Sequence, residues 1–221
     1  MSADQQLMDE YIRIVNQIEV QPRRELLERL FGMADQNFPP AMHTLSVCLE
    51  QGIGLVKDED AAFQYCLAAA KLGNPAALNN MGCNYFEGKN VDRDPYKALA
   101  YFNSAAKAGY VQAAHSAGYL LDHGADGVEA DGEKALSAYM WAFRHGHIRS
   151  ANNIGIYFLK GKHTSPDPAN AKEWLLKGIA AGDPIAQKNL ERLRQLERQS
   201  GPNAFREARA YAKIWLDGHI F

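Results

Sequence analysis

The chain has 221 residues, of which 47% are hydrophobic and 23% are charged, a composition typical of one large or two small globular domains. Its net charge of −2 argues against a nucleic-acid surface and against a polybasic membrane anchor. The sequence has neither a signal-peptide pattern at its start nor an apolar run near the roughly 18 residues of a membrane span.

The first predicted elements are two helices at the N-terminus. Residues 4–19 form one of them, and the stretch PRRELLERLFGMADQN, residues 22–37, forms the other. The second stretch resembles a degenerate copy of a helix that recurs farther along the chain. We therefore expect residues 1–36 to be an N-terminal capping pair.

From residue 37 onward the sequence repeats itself with a period of 36 or 37 residues. Three glycine registers and one alanine register recur in step. The members of these registers are Gly73, Gly109, Gly146 and Gly182; Gly82, Gly118 and Gly155; Gly52, Gly88, Gly124 and Gly161; and Ala62, Ala98, Ala135 and Ala171. Such agreement predicts four structural repeats over residues 37–185.

Each repeat contains two predicted helices. The first, such as PAALNNMGCNYFEG, ends at Gly88, and the second, DPYKALAYFNSAAKAG, begins with Asp94 as N-cap and Pro95 at the first helical position. The loops are rich in Gly and Asp, and there is almost no strand signal. A helix pair of this kind leaves one face bare, so it must stack on the next pair.

Glycines inside the first helices each cost about 1 kcal/mol of helix propensity. We therefore expect a neighbouring helix backbone to pass close to them, with small residues of the second helix opposite. The relevant positions are Gly82, Gly118 and Gly155, and Ala69, Ala105 and Ala142.

The last predicted elements are two charged helices without the repeat consensus. The stretch AQKNLERLRQLERQ has Glu191 where an internal glycine is expected, and PNAFREARAYAKIWLDG follows as an amphipathic helix. Residues 186–221 thus form a predicted C-terminal capping pair. Ile220 and Phe221 have no obvious core, so end-to-end association of two chains is possible.

Over about residues 37 to 186 the sequence resembles the Sel-one-like repeat, a relative of the tetratricopeptide repeat. The resemblance rests on three motifs that follow one another in each unit: L/M-G-x-x-Y-x-x-G, D-x-x-K-A-x-x-Y and A-A-x-x-G. The resemblance implies an all-α fold, a right-handed α/α superhelical solenoid of about six antiparallel helix pairs. It also implies a single domain over residues 1–221. In such solenoids the first helices line a concave groove.

Catalytic and metal-binding signals are weak. Ser104 to Lys107, SAAK, matches a serine nucleophile motif, but both positions fall within the repeat pattern and no partner motif exists. His115 and His123 are two helical turns apart, too far to share a metal, and the three cysteines lack metal-type spacing. We expect no enzyme activity, no metal and no cofactor, and we expect free thiols in a reducing, cytoplasmic compartment.

By analogy with the family, the residues three and two positions before the internal glycine point into the groove. The first row is His43, Asn79, His115, Asn152 and Lys188, and the second is Thr44, Asn80, Ser116, Asn153 and Asn189. Asparagine side chains both donate and accept, which suits an extended peptide. Farther along these helices the groove gains Tyr119, His123, Lys160 and Arg192.

Two interpretations of these rows stay open. The second row, with Asn80 and Asn153, can instead bond a neighbouring helix, and the first row can be plainly solvated. If the first row contacts a ligand, replacing Asn79, His115 and Asn152 by Glu should abolish partner capture without lowering the melting temperature.

The expected function is a non-catalytic adaptor whose groove binds a peptide or protein partner. One alternative, by analogy with small bacterial proteins that carry this repeat, is a cytoplasmic immunity protein that inhibits a toxin or an enzyme. A remoter alternative is a hydrolase acting on β-lactams or the cell wall. We expect neither nucleic acid nor membrane as a partner, and a monomer or a weak dimer.

Overall fold

The computed structural model of the protein describes residues 3–18, 20–21, 23–161 and 163–200. These residues form eleven α-helices and no β-strand, and only one isolated bridge joins Ala125 to Val128. The helices are α1 (Ala3–Ile18), α2 (Arg24–Asp35), α3 (Pro39–Gln51), α4 (Glu59–Lys71), α5 (Pro75–Glu87), α6 (Pro95–Lys107), α7 (Val111–His123), α8 (Gly132–Arg144), α9 (Arg149–Lys160), α10 (Pro168–Ala180) and α11 (Pro184–Ser200). The all-α repeat fold is therefore confirmed. The last predicted helix, with Ile220 and Phe221, lies outside the described residues.

The helices begin and end where local chemistry predicts. The side chain of Asp94 accepts a hydrogen bond from the backbone N–H of Lys97 at 3.0 Å, which caps α6, and Pro95 follows at the first helical position. The same cap recurs at the start of every second helix, with Asp58, Asp94, Asp131 and Asp167 as its members. Gly88 closes α5 in the left-handed region with a φ of 77°, a conformation that favours glycine.

The glycines inside the first helices mark close approaches between α-helices. A Cβ atom at Gly118 would lie 2.9 Å from the Tyr139 ring and 3.2 Å from the carbonyl oxygen of Ala135. At Gly82 it would lie 2.6 Å from the ring of Phe102. The expected close approach is present, but its nearest neighbours are a large side chain and a backbone carbonyl group rather than Ala105 or Ala142.

The described helices fall into two compact units. The first unit, Met1–Tyr110, contains α1 to α6, with α3 packed on α4, α5 on α6, and α4 on α5. The second begins at Val111 and contains α7 to α11, with α7 packed on α8 and α9 on α10. Among the described residues, no helix is long and apolar enough to cross a membrane. Whether residues 1–221 form one continuous right-handed superhelix stays a prediction.

Candidate functional site

A polar ladder connects successive repeats within each unit. In the first unit the Asn80 side-chain amide donates to Nε2 of His43 at 3.2 Å. In the second unit the Asn189 amide donates to Oδ1 of Asn152 at 2.7 Å. Both pairs are 37 residues apart, so a first-row residue of one repeat bonds a second-row residue of the next. This ladder gives Asn a structural reason to recur in both rows.

Three residues that the sequence places in the groove are instead buried. Asn79 is 5% exposed, and His115 and Asn152 are fully buried. Asn79 donates to the sulfur of Cys83 at 3.7 Å, and its Oδ1 accepts no hydrogen bond within the described part of the chain. The expected exposure of these three side chains is therefore wrong. Their replacement by Glu would bury carboxylates and lower the melting temperature.

His115 belongs to a hydrogen-bonded chain in the second unit. Nε2 of His147 donates to Oε1 of Gln112 at 2.8 Å, so Nδ1 of His147 accepts from the Ser150 hydroxyl at 2.9 Å. Nδ1 of His115 then donates to the same Ser150 oxygen at 2.9 Å. Burial and the charge of Arg149 lower the pKa of His147 to about 4, so the His147 imidazole is neutral at neutral pH. The sequence did not predict that these two histidines meet.

The remaining predicted site residues, apart from Asn153, lie nearer the surface. The rings of Tyr119 and His123 stack at 4.1 Å on α7, and Lys188 on α11 is exposed. Lys160 and Arg192 are half-buried, whereas Asn153 is buried at 4% exposure and its Oδ1 accepts a hydrogen bond from the Asn152 amide at 3.3 Å. Partner contact at these positions stays a prediction.

The serine of the SAAK motif makes an ordinary helical contact. The Ser104 hydroxyl donates to the carbonyl oxygen of Ala100, one turn earlier, at 2.9 Å. Both Ser104 and Lys107 are exposed on α6. Among the residues that the structure describes, no group of His, Cys, Asp or Glu is arranged to hold a metal ion.

A polar cavity of about 180 Å³ opens in the first unit between α3, α4, α5 and the loop after α5. We call it the first-unit cleft. Its lining residues are Ser46, Glu50, Glu59, Ala62, Phe63, Cys66, Asn80, Cys83, Asn84, Glu87, Lys89 and Asn90. A volume of this size holds one side chain rather than a drug-sized molecule, because ligand pockets usually measure about 300–1,000 Å³.

The first-unit cleft exists because the first repeat has smaller residues at a position that other repeats fill. Phe102, Tyr139 and Leu175 lie seven residues before their closing glycines and press against the internal glycines of their repeats. In the first repeat the same position is Cys66, and Ser46 takes the place of the internal glycine. Both residues line the cleft, so the exchange of a large side chain for a thiol leaves space beside α3.

Asn84 also departs from the other repeats. Two residues after the internal glycine the others have Cys48, Leu120 and Tyr157, which are all buried at 3% exposure or less. Asn84 is half-buried, and its side-chain amide makes no hydrogen bond with the described residues. One turn earlier, Asn80 lines the same wall of the cleft. Two amides are thus presented on one side of α5.

Acidic groups dominate the charge of the first-unit cleft. Glu50 pairs with Lys89, and Glu59 pairs with Lys57 at 2.6 Å. Glu87 is exposed and makes no ion pair with any residue that the structure describes. Its charge contributes, after burial, to raising the pKa of the Cys83 thiol to about 12.

Neither of the two thiols of the cleft is reactive at neutral pH. Burial, with a smaller contribution from Glu50, raises the pKa of Cys66 to about 12. Both Cys66 and Cys83 are therefore protonated at neutral pH, and a protonated thiol is a poor nucleophile and a poor metal ligand. The cleft can bind a polar chain through amides and carboxylates, and its thiols provide apolar surface.

Of the twelve residues that line the cleft, only Asn80 was among the predicted site residues. The eleven that were missing include Glu50, Cys66, Asn84, Glu87 and Lys89. The signal that was available is the comparison of repeats position by position. It shows a thiol where the others have Phe, Tyr or Leu, and an amide where they have buried apolar residues. Such local departures from the pattern of a fold are where function is expected.

The repeats match a known family along most of their length. The Sel1 repeat matches residues 39–74, 75–110, 111–141 and 148–183. The chain belongs to the Sel1 repeat family. The matched segments contain the whole first-unit cleft and three of the four ladder residues, His43, Asn80 and Asn152, whereas Asn189 follows the last segment.

Relatives of known name share part of their length with this Sel1 repeat chain. Chitin synthase regulatory factor 4 of Schizosaccharomyces pombe is 31% identical over 190 residues, which cover 79% of this chain and 28% of that protein. Factor 2 of the same yeast is 33% identical over 127 residues, covering 53% and 25%. Alginate biosynthesis protein AlgK of Azotobacter vinelandii is 29% identical over 163 residues, covering 72% and 35%. The chain thus spans about a quarter to a third of these relatives.

Solved structures confirm the fold. A Sel1 repeat protein from Oxalobacter formigenes superposes with a TM-score of 0.76 at 22% identity, covering 97% of this chain and 91% of that one. Immunity protein Pa5087 from Pseudomonas aeruginosa superposes with a TM-score of 0.53 at 17% identity, covering 95% and 80%. At these identities the likeness concerns the fold alone.

Proposed function

We propose that this Sel1 repeat protein is a non-catalytic interaction scaffold that binds an extended peptide segment of a protein partner in the first-unit cleft. The main observation behind this proposal is the side chain of Asn84. It replaces a buried apolar residue of the other repeats with an amide that has no hydrogen bond among the described residues. A half-buried amide of this kind is open to solvent, and a bound peptide backbone can replace water at both its donor and its acceptor.

The neighbouring groups support the same function. Asn80 stands one helical turn from Asn84 on α5, so the two amides can bond to one extended chain running along the helix. Phe63 and the protonated thiols of Cys66 and Cys83 give the cleft an apolar floor for a side chain. The three free cysteines fit action in a reducing compartment such as the cytoplasm.

A peptide-selection experiment tests this function. The full chain is used to select binders from a displayed library of random 12-residue peptides, and affinities are measured by fluorescence polarisation. We expect Asn84→Leu, which installs the residue type found at Leu120, to weaken the selected peptides at least tenfold. Asn103→Leu, the same change at an exposed position of α6, should leave their affinity unchanged.

The experiment has two contrary outcomes. If Asn84→Leu binds the selected peptides as well as the wild type, with both variants folded by circular dichroism, the first-unit cleft is not the binding site. If the library yields no peptide that binds the chain, the scaffold function proposed for the cleft is refuted.

The other functions stay predictions. An immunity function has no support beyond a fold likeness to Pa5087 at 17% identity. A hydrolase function would require Ser104 to act as a nucleophile, and its hydroxyl is bonded to a helix carbonyl. A nitrocefin assay of the wild type and of Ser104→Ala tests it directly.

A further inference from the structure

We propose that the side chain seated in the first-unit cleft is a lysine or an arginine of the partner peptide. This inference rests on the proposed function and goes further by naming the chemistry of the bound residue. It follows from the shape of the cleft, from its wall charges and from the net charge of the unit that contains it.

The shape of the cleft suits one long side chain with a polar end. Cys66 is buried and Phe63 and Cys83 are half-buried, whereas Glu59 and Glu87 are exposed, so these apolar groups lie deeper than the two carboxylates. Lysine and arginine have aliphatic stems that pack on apolar surface while the charged head stays at the rim. A volume of about 180 Å³ accommodates one such side chain.

The wall charges select a cation. Carboxylates come from three helices, with Glu50 on α3, Glu59 on α4 and Glu87 on α5, against one lining cation, Lys89. Glu50 and Glu59 form ion pairs with lysines, whereas Glu87 acts on Lys89 only through its charge, without an ion pair among the described residues. Three carboxylates against one ammonium give the lining a negative net charge, so a bound carboxylate would be repelled and a bound cation attracted.

The first unit as a whole has the same sign. Residues 1–110 contain 10 Lys and Arg against 14 Asp and Glu, a net charge of −4, whereas residues 111–221 contain 14 against 12, a net charge of +2. A negative unit attracts a cationic peptide before contact and speeds its association. The second unit carries the opposite sign, so the attraction is specific to the part of the chain that contains the cleft.

The test compares peptides and variants in one cycle. From the peptides selected on the full chain, the strongest binder is made in three forms, with its Lys or Arg kept, replaced by norleucine, and replaced by Glu. Each form is titrated by fluorescence polarisation against the wild type and against Glu87→Gln. Glu25→Gln, at an exposed position of α2 outside the cleft, is the matched control.

We expect Lys or Arg to be enriched among the selected peptides and norleucine to weaken binding at least tenfold. Glu87→Gln should weaken the cationic peptide about tenfold and change the norleucine peptide less than twofold, whereas Glu25→Gln should change neither. If cleft-dependent peptides bind equally well with norleucine, or ignore Glu87→Gln, the cationic residue is refuted while the peptide-binding function stands. If Asn84→Leu weakens none of the peptides, both are refuted.

Discussion

A substitution that fills the first-unit cleft with a larger side chain should lower peptide affinity without changing the stability of the fold. Cys66 is the thiol that stands where other repeats have Phe102, Tyr139 or Leu175, so Cys66→Leu returns a large residue to the cavity. Burying about two more carbon-sized groups contributes about 1.5 kcal/mol. Ordering the leucine costs about 0.5–1 kcal/mol, and the weak bond from the thiol to Ala77, at 3.7 Å, costs about 0.5 kcal/mol when lost. The net change in the free energy of unfolding is therefore about zero.

The same substitution at Cys48 is the control. Cys48 is 2% exposed in the core of the first unit and does not line the cleft, so a leucine there overpacks and costs about 1–3 kcal/mol. Since 1 kcal/mol shifts the melting temperature of a chain of this size by about 2–4 °C, Cys48→Leu should melt roughly 2–12 °C below Cys66→Leu.

Differential scanning calorimetry and peptide titration read out the two effects. Cys66→Leu should keep its melting temperature and lose at least tenfold in affinity for the selected peptides, whereas Cys48→Leu should lose melting temperature and keep its affinity. Equal losses of melting temperature would show that no space exists beside Cys66. Unchanged affinity in Cys66→Leu would show that peptides bind elsewhere.

Three further predictions concern the fold that supports the cleft. Because His147 is held neutral with a pKa of about 4, its contribution to stability is complete above pH 6.5 and is lost as the pH falls toward 4. Urea titrations of the wild type at pH 7.5 and 4.5 should show a loss of about 1–2 kcal/mol in the free energy of unfolding, allowing for screening at the partly exposed ring. The same pH change should cause a smaller loss in His147→Gln. In thermal melts, Gly118→Ala should destabilise the protein by about 1–3 kcal/mol because the added Cβ meets the Tyr139 ring. Gly32→Ala, with no atom within 4 Å of the added Cβ, should stabilise it by about 0.5–1 kcal/mol. A gain in stability at both positions would contradict the packing of Gly118. Asn189→Ala should lower the free energy of unfolding by about 1–3 kcal/mol because it removes the buried hydrogen bond to Asn152 in the polar ladder. Lys188→Ala, at an exposed position, should change the free energy of unfolding by no more than about 0.5 kcal/mol. Equal effects of the two variants would mean that this hydrogen bond does not stabilise the fold.

The helices and their ends were predictable because their causes are local. Asp94 caps α6 and Gly88 ends α5 through contacts within a few residues, and such contacts can be read from spacing alone. The repeat period also gave the stacking of helix pairs. The close approach at Gly82 was expected for the same reason, although its nearest neighbour, Phe102, was not identified.

The polar rows were harder to interpret because their partners lie one repeat away. Asn79 and Asn80 are adjacent in sequence, yet the first is buried and the second bonds back to His43. Which of two polar residues faces a neighbouring helix depends on the rotation of that helix, and spacing does not specify it. The prediction therefore placed the buried member of the pair at the surface.

The cleft could not be predicted from the sequence because a cavity depends on the summed volumes of side chains from different helices. It requires that Cys66 and Ser46 be small at the same place, on two helices that the fold brings together. The charges that surround it come from three helices and a loop. Only the comparison of each repeat with its neighbours, combined with the packing of α3 on α4, shows which small residues leave space.

The most direct measurement of peptide binding in the cleft uses the side-chain amide signals of Asn80 and Asn84. In ¹H–¹⁵N spectra of the full chain titrated with a selected peptide, we expect these two signals and the backbone amides around Lys89 to shift together, in proportion to occupancy. Shifts confined to residues after Val111, with the signals of Asn80 and Asn84 unchanged at saturation, would contradict binding in the first-unit cleft.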